Sequence, residues 1–371
     1  MKQLPFRSSR PFTIGVELEY QIIDPLTYNL ISHAKDLMRI IRESKYKSHM
    51  KPEITQNMIE LNTSIHSSGS EMHRELLKMR DFLAKQEKKV GVLICGGGMH
   101  PFQKWSLEKI YPTKRYKRLS HIYRYLSKRA TVFGQHIHVG CPNEKDALYL
   151  THALHRYAPH FIAINASSPF YQESYTGFNS TRNTLFNAFP QSGYIPYLLT
   201  WKEFSEFFYK LKKLKIIETM KDIYWDIRPK PEFGTVEIRV CDTPLTIEKA
   251  VIIAIYIQTL SAYLLHERPI AITKDLYYLY TYNRFQASRY GFDGELIDPH
   301  TLKKKTISED ILETLELLEK NTPSLKNKYY LKKLEKSVRN KKNDALFLKE
   351  FHKKTRSFTK VVREQCLLWS R

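Results

Sequence analysis

Three short stretches carry same-face polar pairs whose side chains can do chemistry together. They are Glu17 and Glu19 in Ile14-Gly15-Val16-Glu17-Leu18-Glu19-Tyr20, His136 and His138 in Gly134-Gln135-His136-Ile137-His138-Val139-Gly140, and Glu237 and Arg239 in Glu237-Ile238-Arg239-Val240-Cys241-Asp242. Each stretch is rich in β-branched or apolar residues at alternate positions, so residues two apart share a strand face. Any one pair alone is more often a solvated edge or a surface ion pair. Two carboxylates about 7 Å apart repel unless cations lie between them, and carboxylates with an imidazole form the oxygen-rich, one-nitrogen set that suits Mg²⁺ or Mn²⁺. Three such strands in one chain predict a sheet with one polar, chemically active face.

The elements that must hold this face follow from periodicity. Strands are expected over 12–23, 90–95, 134–140, 223–228 and 232–240, with Pro229-Lys230-Pro231 as a turn. The β-prone stretch 51–63, with a turn at Gln56-Asn57, allows a hairpin that brings Glu53 and Glu60 together, although each alone reads as a surface glutamate. Helices are expected over 33–44, 68–89, 114–129, 144–164, 201–220, 248–266 and 275–290, and three more over 306–320, 325–340 and 344–368. The run Gly96-Gly97-Gly98 lacks the GxxxxGK[ST] pattern of a phosphate loop and reads as a close backbone approach or a flexible exit. The loop from Asn165-Ala166-Ser167-Ser168 to Ser180-Thr181-Arg182-Asn183 is dense in donors for an anion; ordinary loop polarity explains it equally well.

Composition bounds the rest. The chain has 371 residues, 42% hydrophobic, enough for two domains or one large α/β unit. Neither a secretory leader nor an apolar run of about 20 residues is evident, which leads to a cytoplasmic expectation with no membrane partner. Cys95, Cys141, Cys241 and Cys366 show no CxxC spacing and read as buried free thiols. The net charge is +22, and residues 301–371 supply 19 Lys/Arg against 9 Asp/Glu. Such an excess attracts acidic small molecules, a membrane surface or nucleic acid. No zinc-finger spacing or RNP-like signature accompanies it, so nucleic acid is not expected as the principal partner.

Taken together and in order, Gly15–Glu19, Gly134–Gly140, Asn165–Pro169, Ser180–Arg182, Glu237–Asp242 and Asn283-Arg284-Phe285 resemble the carboxylate–amine ligase family, also called glutamate–cysteine ligase type 2. The resemblance runs from about residue 12 to about 300; beyond it the chain is similar only in being helical. It implies an α+β, glutamine-synthetase-like fold, in which a curved antiparallel sheet forms a funnel-shaped site with helices packed outside. Residues 1–300 would be the catalytic domain and 301–371 its basic helical extension. The implied reaction joins a carboxylate to an amine at the expense of ATP, with glutamate and cysteine as substrates, Mg²⁺ or Mn²⁺ as cofactor, and a homodimer as the assembly. Carried over by motif, Glu19, Glu53 and Glu60 would hold one metal, and Glu17, His136 and Glu237 a second that bridges the ATP phosphates. Arg239, Glu237 and Arg182 would be catalytic. His136, His138, Arg228, Arg182, Asn165 and Ser167 would contact nucleotide or substrate. A metal-dependent amide hydrolase, or a basic nucleic-acid-binding protein on a disused enzyme fold, are the alternatives that the residues leave open.

Overall fold

The computed structural model describes residues 3–321 and 325–371. A seven-stranded sheet carries the polar pairs. Its strands are β1 (Ile14–Ile23), β2 (Met50–Pro52), β3 (Met58–Asn62), β4 (Leu93–Cys95), β5 (Gly134–Gly140), β6 (Ile227–Lys230) and β7 (Thr235–Asp242). They run in the order β6-β7-β5-β1-β3-β2, with β4 also paired to β1, and all pairings are antiparallel.

Strict alternation sorts the two faces. Ile14, Val16, Leu18, Tyr20 and Ile22 of β1, Ile137 and Val139 of β5, and Val236, Ile238 and Val240 of β7 are all at most 1% exposed and enter one hydrophobic core. Full burial of each such side chain contributes about 1.5–3 kcal/mol. The opposite face carries Glu17, Glu19, His136, His138, Glu237 and Arg239. A one-residue slip would exchange these sets, so burial of the apolar face fixes the register of the chemical one.

Helices cover the apolar face. Helix α1 (Gly69–Val90) starts at Ser68, whose side chain accepts from Glu71 N, and stops at Gly91, which is left-handed at φ 75°. Its stripe of Met72, Leu76, Met79 and Leu83 is fully buried. Helix α2 (Ile247–Glu267) packs on α1 and on β5. By length and apolar composition α2 could cross a membrane, contrary to the sequence expectation, yet 72% of its apolar window is buried inside this molecule. It is the central core helix.

Several expected helices are interrupted. The helix expected over 144–164 breaks at Arg156-Tyr157 into α3 (Glu144–His155) and α4 (Ala158–Asn165), because Pro159 has no N–H to donate to the His155 carbonyl and fits instead in the first turn of a new helix. The one expected over 114–129 breaks at Arg124, whose φ is +48°. Near the C-terminus, four helices replace three: α5 (Ile307–Asn321), α6 (Leu325–Arg339), α7 (Asp344–Thr355) and α8 (Phe358–Ser370). Left-handed Arg356 ends α7, and Ser357 caps α8. The expected turn Pro229-Lys230-Pro231 is also displaced: Pro229 and Lys230 lie within β6, an edge strand where a missing N–H costs no ladder bond. The chain turns at Gly234 instead, where φ is 65° and an added Cβ would sit 1.7 Å from Arg7 O.

Candidate active site

The cleft above the polar face has a volume of about 270 Å³. Register builds its floor directly: Glu19 faces Glu60, Glu17 faces His136, and His138 faces Glu237, which in turn faces Arg228. The turn between β2 and β3 adds Glu53. Residues far apart in sequence thus share a few ångströms because adjacent strands lie about 4.8 Å apart.

Two groups of ligand-type atoms emerge. Glu19, Glu53 and Glu60 each place a carboxylate oxygen within 4.8 Å of the others. Burial, and then the charge of Glu19, pushes Glu53 up to about 7. Burial and the charges of Glu17 and Glu53 raise Glu60 well above the ordinary range, and Glu53 and Glu60 hydrogen-bond each other. The cation at Glu60 is Lys51, 3.9 Å away and more than half exposed. Three clustered carboxylates make an oxygen-rich set of the kind that holds a divalent cation.

The second group is Glu17, His138 and Glu237, again within 4.8 Å. It differs from the set expected by motif, which used His136. His136 Nδ1 lies 3.2 Å from Glu17 Oε2, but its ring leans toward Glu19, with Nε2 3.9 Å from Oε1. His138 Nδ1 is held by the Thr235 hydroxyl at 3.0 Å, which points Nε2 at Glu17 Oε1, 3.5 Å away. Nε2 of both histidines lacks a hydrogen-bond partner. A buried imidazole nitrogen without a partner beside carboxylates suits a metal ligand. Burial, then the nearby Arg239, lowers the His136 pKa, so its ring is neutral near pH 7. Burial opposes ionisation of Glu17, yet the hydrogen bond from His136 and the His138 ring 3.5 Å away hold it well below the carboxylate range.

Glu237 is clamped between arginines. Arg228 Nε donates to Oε2 at 2.7 Å and Nη2 to Oε1 at 3.1 Å, and Arg239 Nη1 donates to Oε1. Burial opposes its charge, but these guanidiniums outweigh that and keep it ionised well below the usual range. Arg228 also donates to Met220 O and Ile223 O, so four of its five N–H groups are engaged within the protein and its main part is to orient Glu237. Arg239, with 14% of its side chain exposed, lines the cleft.

The donor-rich loop has a structural role for most of its residues. Asn165 Nδ2 donates to Gln135 Oε1 and Asp242 O, and Ser167 Oγ donates to Thr243 O while accepting from Gly98 N. Both are buried, and neither lines the cleft. Their hub is Asp242, whose carboxylate accepts from Ser167 N, Ser168 Oγ and Ser180 Oγ at 2.6–2.9 Å. Sequence reasoning missed it. The glycine run belongs here too: a Cβ on Gly98 would meet Asp242 Cγ at 2.5 Å, and one on Gly96 would meet Pro244 O at 2.1 Å. Of this loop, Arg182 comes nearest the chemistry, bordering a small pocket beside Arg239 rather than the cleft itself. Its Nη1 donates to Arg239 O at 3.1 Å, its Nε is unpartnered, and its charge lies near Glu19. Arg284 is instead locked to Asp226, with Nε 2.6 Å from Oδ2.

Known proteins resemble this chain over most of its length. The model of glutamate–cysteine ligase family 2 (GCS2) matches residues 13–360, which includes most of the helical part that the motifs alone left outside the resemblance. A Legionella pneumophila (strain Corby) protein provisionally named glutamate–cysteine ligase 2-1 is 54% identical over 369 residues, covering 100% of this chain and 96% of that one. Among solved structures, the fold is similar to a Francisella tularensis glutamate–cysteine ligase in complex with AMP, with TM-score 0.70 at 11% identity, 98% of this chain and 90% of that one being covered. It is also similar to a bifunctional glutathione synthetase from Pasteurella multocida, with TM-score 0.68 at 14% identity over 96% of this chain and 52% of that one. With its glutamine-synthetase-like sheet and whole-length match, the chain belongs to glutamate–cysteine ligase family 2 and is an ATP-dependent carboxylate–amine ligase.

Proposed function

We propose that this enzyme forms a γ-glutamyl amide bond, with glutamate as the carboxylate and cysteine as the amine, through an acyl phosphate. The observation that supports this reading most is the pairing of two acidic groups with one fixed arginine on a single sheet face. A carboxylate is a poor electrophile, and transfer of the ATP γ-phosphoryl group onto its oxygen converts it into one with phosphate as leaving group. The amine nitrogen then attacks the carbonyl carbon, the C–O bond to phosphate breaks, and the amine loses a proton.

Both donor sets fit Mg²⁺ or Mn²⁺, and the reading assigns Glu19, Glu53 and Glu60 to one ion and Glu17, His138 and Glu237 to another, with His136 beside them. When bound, such ions would neutralise phosphate and carboxylate charge. The protein's own residues do the rest. Arg239 presents a guanidinium, pre-aimed by Glu237, where charge builds on the transferring phosphoryl oxygens. Arg228 holds Glu237 ionised and in place. Arg182 adds positive charge beside Glu19 for a carboxylate or phosphate oxygen.

The reading is tested by phosphate release from ATP with Mg²⁺ or Mn²⁺ over a matrix of amino-acid pairs. Glutamate with cysteine should give stoichiometric ADP, phosphate and dipeptide. Amide hydrolysis without nucleotide turnover would favour the hydrolase, and steeply salt-dependent DNA or RNA binding that survives Glu237→Ala would favour the nucleic-acid reading. The homodimer is part of the same proposal, and sedimentation equilibrium would read it.

A further inference from the structure

Among the cations that line the cleft, one buried ammonium has no part in these roles. Lys230 ends β6, two residues past Arg228 and on the same cleft-facing side, and it is 3% exposed. Its Nζ donates to Glu232 Oε1 at 2.7 Å and lies 5.4 Å from the centre of the Phe233 ring. Glu232 belongs to the surface turn, with 40% of its side chain exposed against 4% for Lys230.

Neither neighbour explains why an ammonium is buried here. A pair that merely steadied a surface turn would serve as well with both partners in water, where it is worth at most about 1 kcal/mol, whereas burying a lysine carries a desolvation cost. Glu237 does not need it either, since Arg228 and Arg239 already contact its two oxygens. Position gives a better account. Lys230 opposes Thr235, the residue that orients His138, at the β6 edge of the sheet. The Glu19–Glu53–Glu60 trio lies toward the other edge, on β1, β3 and the β2–β3 turn. The three clustered carboxylates thus lie toward one edge of the cleft and the buried Lys230 toward the other, with Glu17, His138 and Glu237 between.

We propose that Lys230 anchors an anion-binding subsite at the β6 edge of the cleft, taking a carboxylate or phosphate oxygen of a ligand whose reacting atoms lie over the Glu17–His138–Glu237 group. The inference rests on the ligase reading for the position of those atoms. When the ligand enters, its oxygen replaces Glu232 on the ammonium, and Glu232 is left in water, where its charge is solvated. No buried charge is stranded. Phe233 covers the ammonium and limits the subsite to a ligand that approaches along the cleft.

The test uses the full-length protein and reads binding and turnover separately. Lys230→Gln, Lys230→Met and Lys230→Arg are titrated calorimetrically with tripolyphosphate and with L-glutamate, each with Mg²⁺, after thermal melts verify folding. If the anion is phosphate, Lys230→Gln should weaken tripolyphosphate by about tenfold or more and spare glutamate; if it is an amino-acid carboxylate, the reverse. Lys230→Arg should restore part of the loss. In turnover, the KM of the matching substrate should rise while kcat stays within about threefold, as for binding shared by ground and transition states. Unchanged affinity for both probes in folded Lys230→Gln and Lys230→Met would overturn the subsite. Wild-type protein that binds a probe through Lys230 yet never turns over ATP would overturn the ligase reading and leave the subsite standing.

Discussion

At the scale of single residues, the cleft trades charge against burial. Glu53 is pushed from its ordinary 4.5 up to about 7, so the folded chain holds a proton that the unfolded chain releases. That proton stabilises the metal-free fold fully below about pH 4.5, and the contribution is lost as pH climbs through 7, on the order of 1–3 kcal/mol. Metal-free Glu53→Gln should therefore melt higher than wild type at pH 8 and alike at pH 4.5; equal melting temperatures at both would show that Glu53 carries no such strain. Mg²⁺ binding to wild type should release protons at pH 6.5, measurable as a buffer-dependent calorimetric enthalpy, and Glu53→Gln should release fewer. Arg239 poses a different question. Its guanidinium both grips Glu237 and faces the cleft, so Arg239→Lys keeps a charge but loses the fork, and kcat should fall about 100-fold with the fold intact. Wild-type kcat in that variant would reduce Arg239 to a point charge.

The strand is the unit in which this site was legible. Alternation alone placed Glu17 with Glu19, His136 with His138, and Glu237 with Arg239 on shared faces, and the sheet unites those faces. What sequence could not supply is cross-strand detail. Which histidine joins Glu17 and Glu237 in one ligand group depends on Thr235, a neighbour only through pairing. Asn165 and Ser167 looked like ligand donors because a buried carboxylate and an anionic ligand demand the same chemistry. Lys230 was hidden between two prolines that suggested a turn. Asp242 escaped notice because its direction depends on a bulge between Ile238 and Cys241, where β7 spends one extra residue against β5. Without that extra residue Asp242 would face the core; with it, the carboxylate reaches the loop that carries Arg182. Asp242→Ala should leave buried donors unpaired and cost roughly 3 kcal/mol in denaturant unfolding, and kcat should fall as Arg182 loosens. Unchanged kcat with lowered stability would confine Asp242 to structure.

At the scale of the whole molecule, the basic excess and the helical tail have separate meanings. The net charge of +22 surrounds a cleft proposed for a triphosphate, and long-range attraction of that kind weakens as salt shortens its reach. The KM for ATP should rise steadily between 50 and 500 mM KCl, with kcat nearly flat; a flat KM would show that surface charge has no part in capture. The tail, by contrast, is part of the core. Ile307, Ile311, Leu315 and Leu318 of α5, Leu331, Leu334 and Val338 of α6, and Trp369 of α8 are buried with β1 and α2 in one cluster, and Trp369 meets Tyr20 edge-on at 5.7 Å. A chain ending at residue 300 should fail to give a cooperative melt, although the motifs all precede that point. The contact between Tyr20 and Trp369 also has a consequence for synthesis. Strand β1 leaves the ribosome long before the side chain that shields its back. Throughout translation the growing polypeptide therefore holds a half-covered sheet with crowded acids on its other side, and any premature stop leaves that surface bare for chaperones and proteases to find.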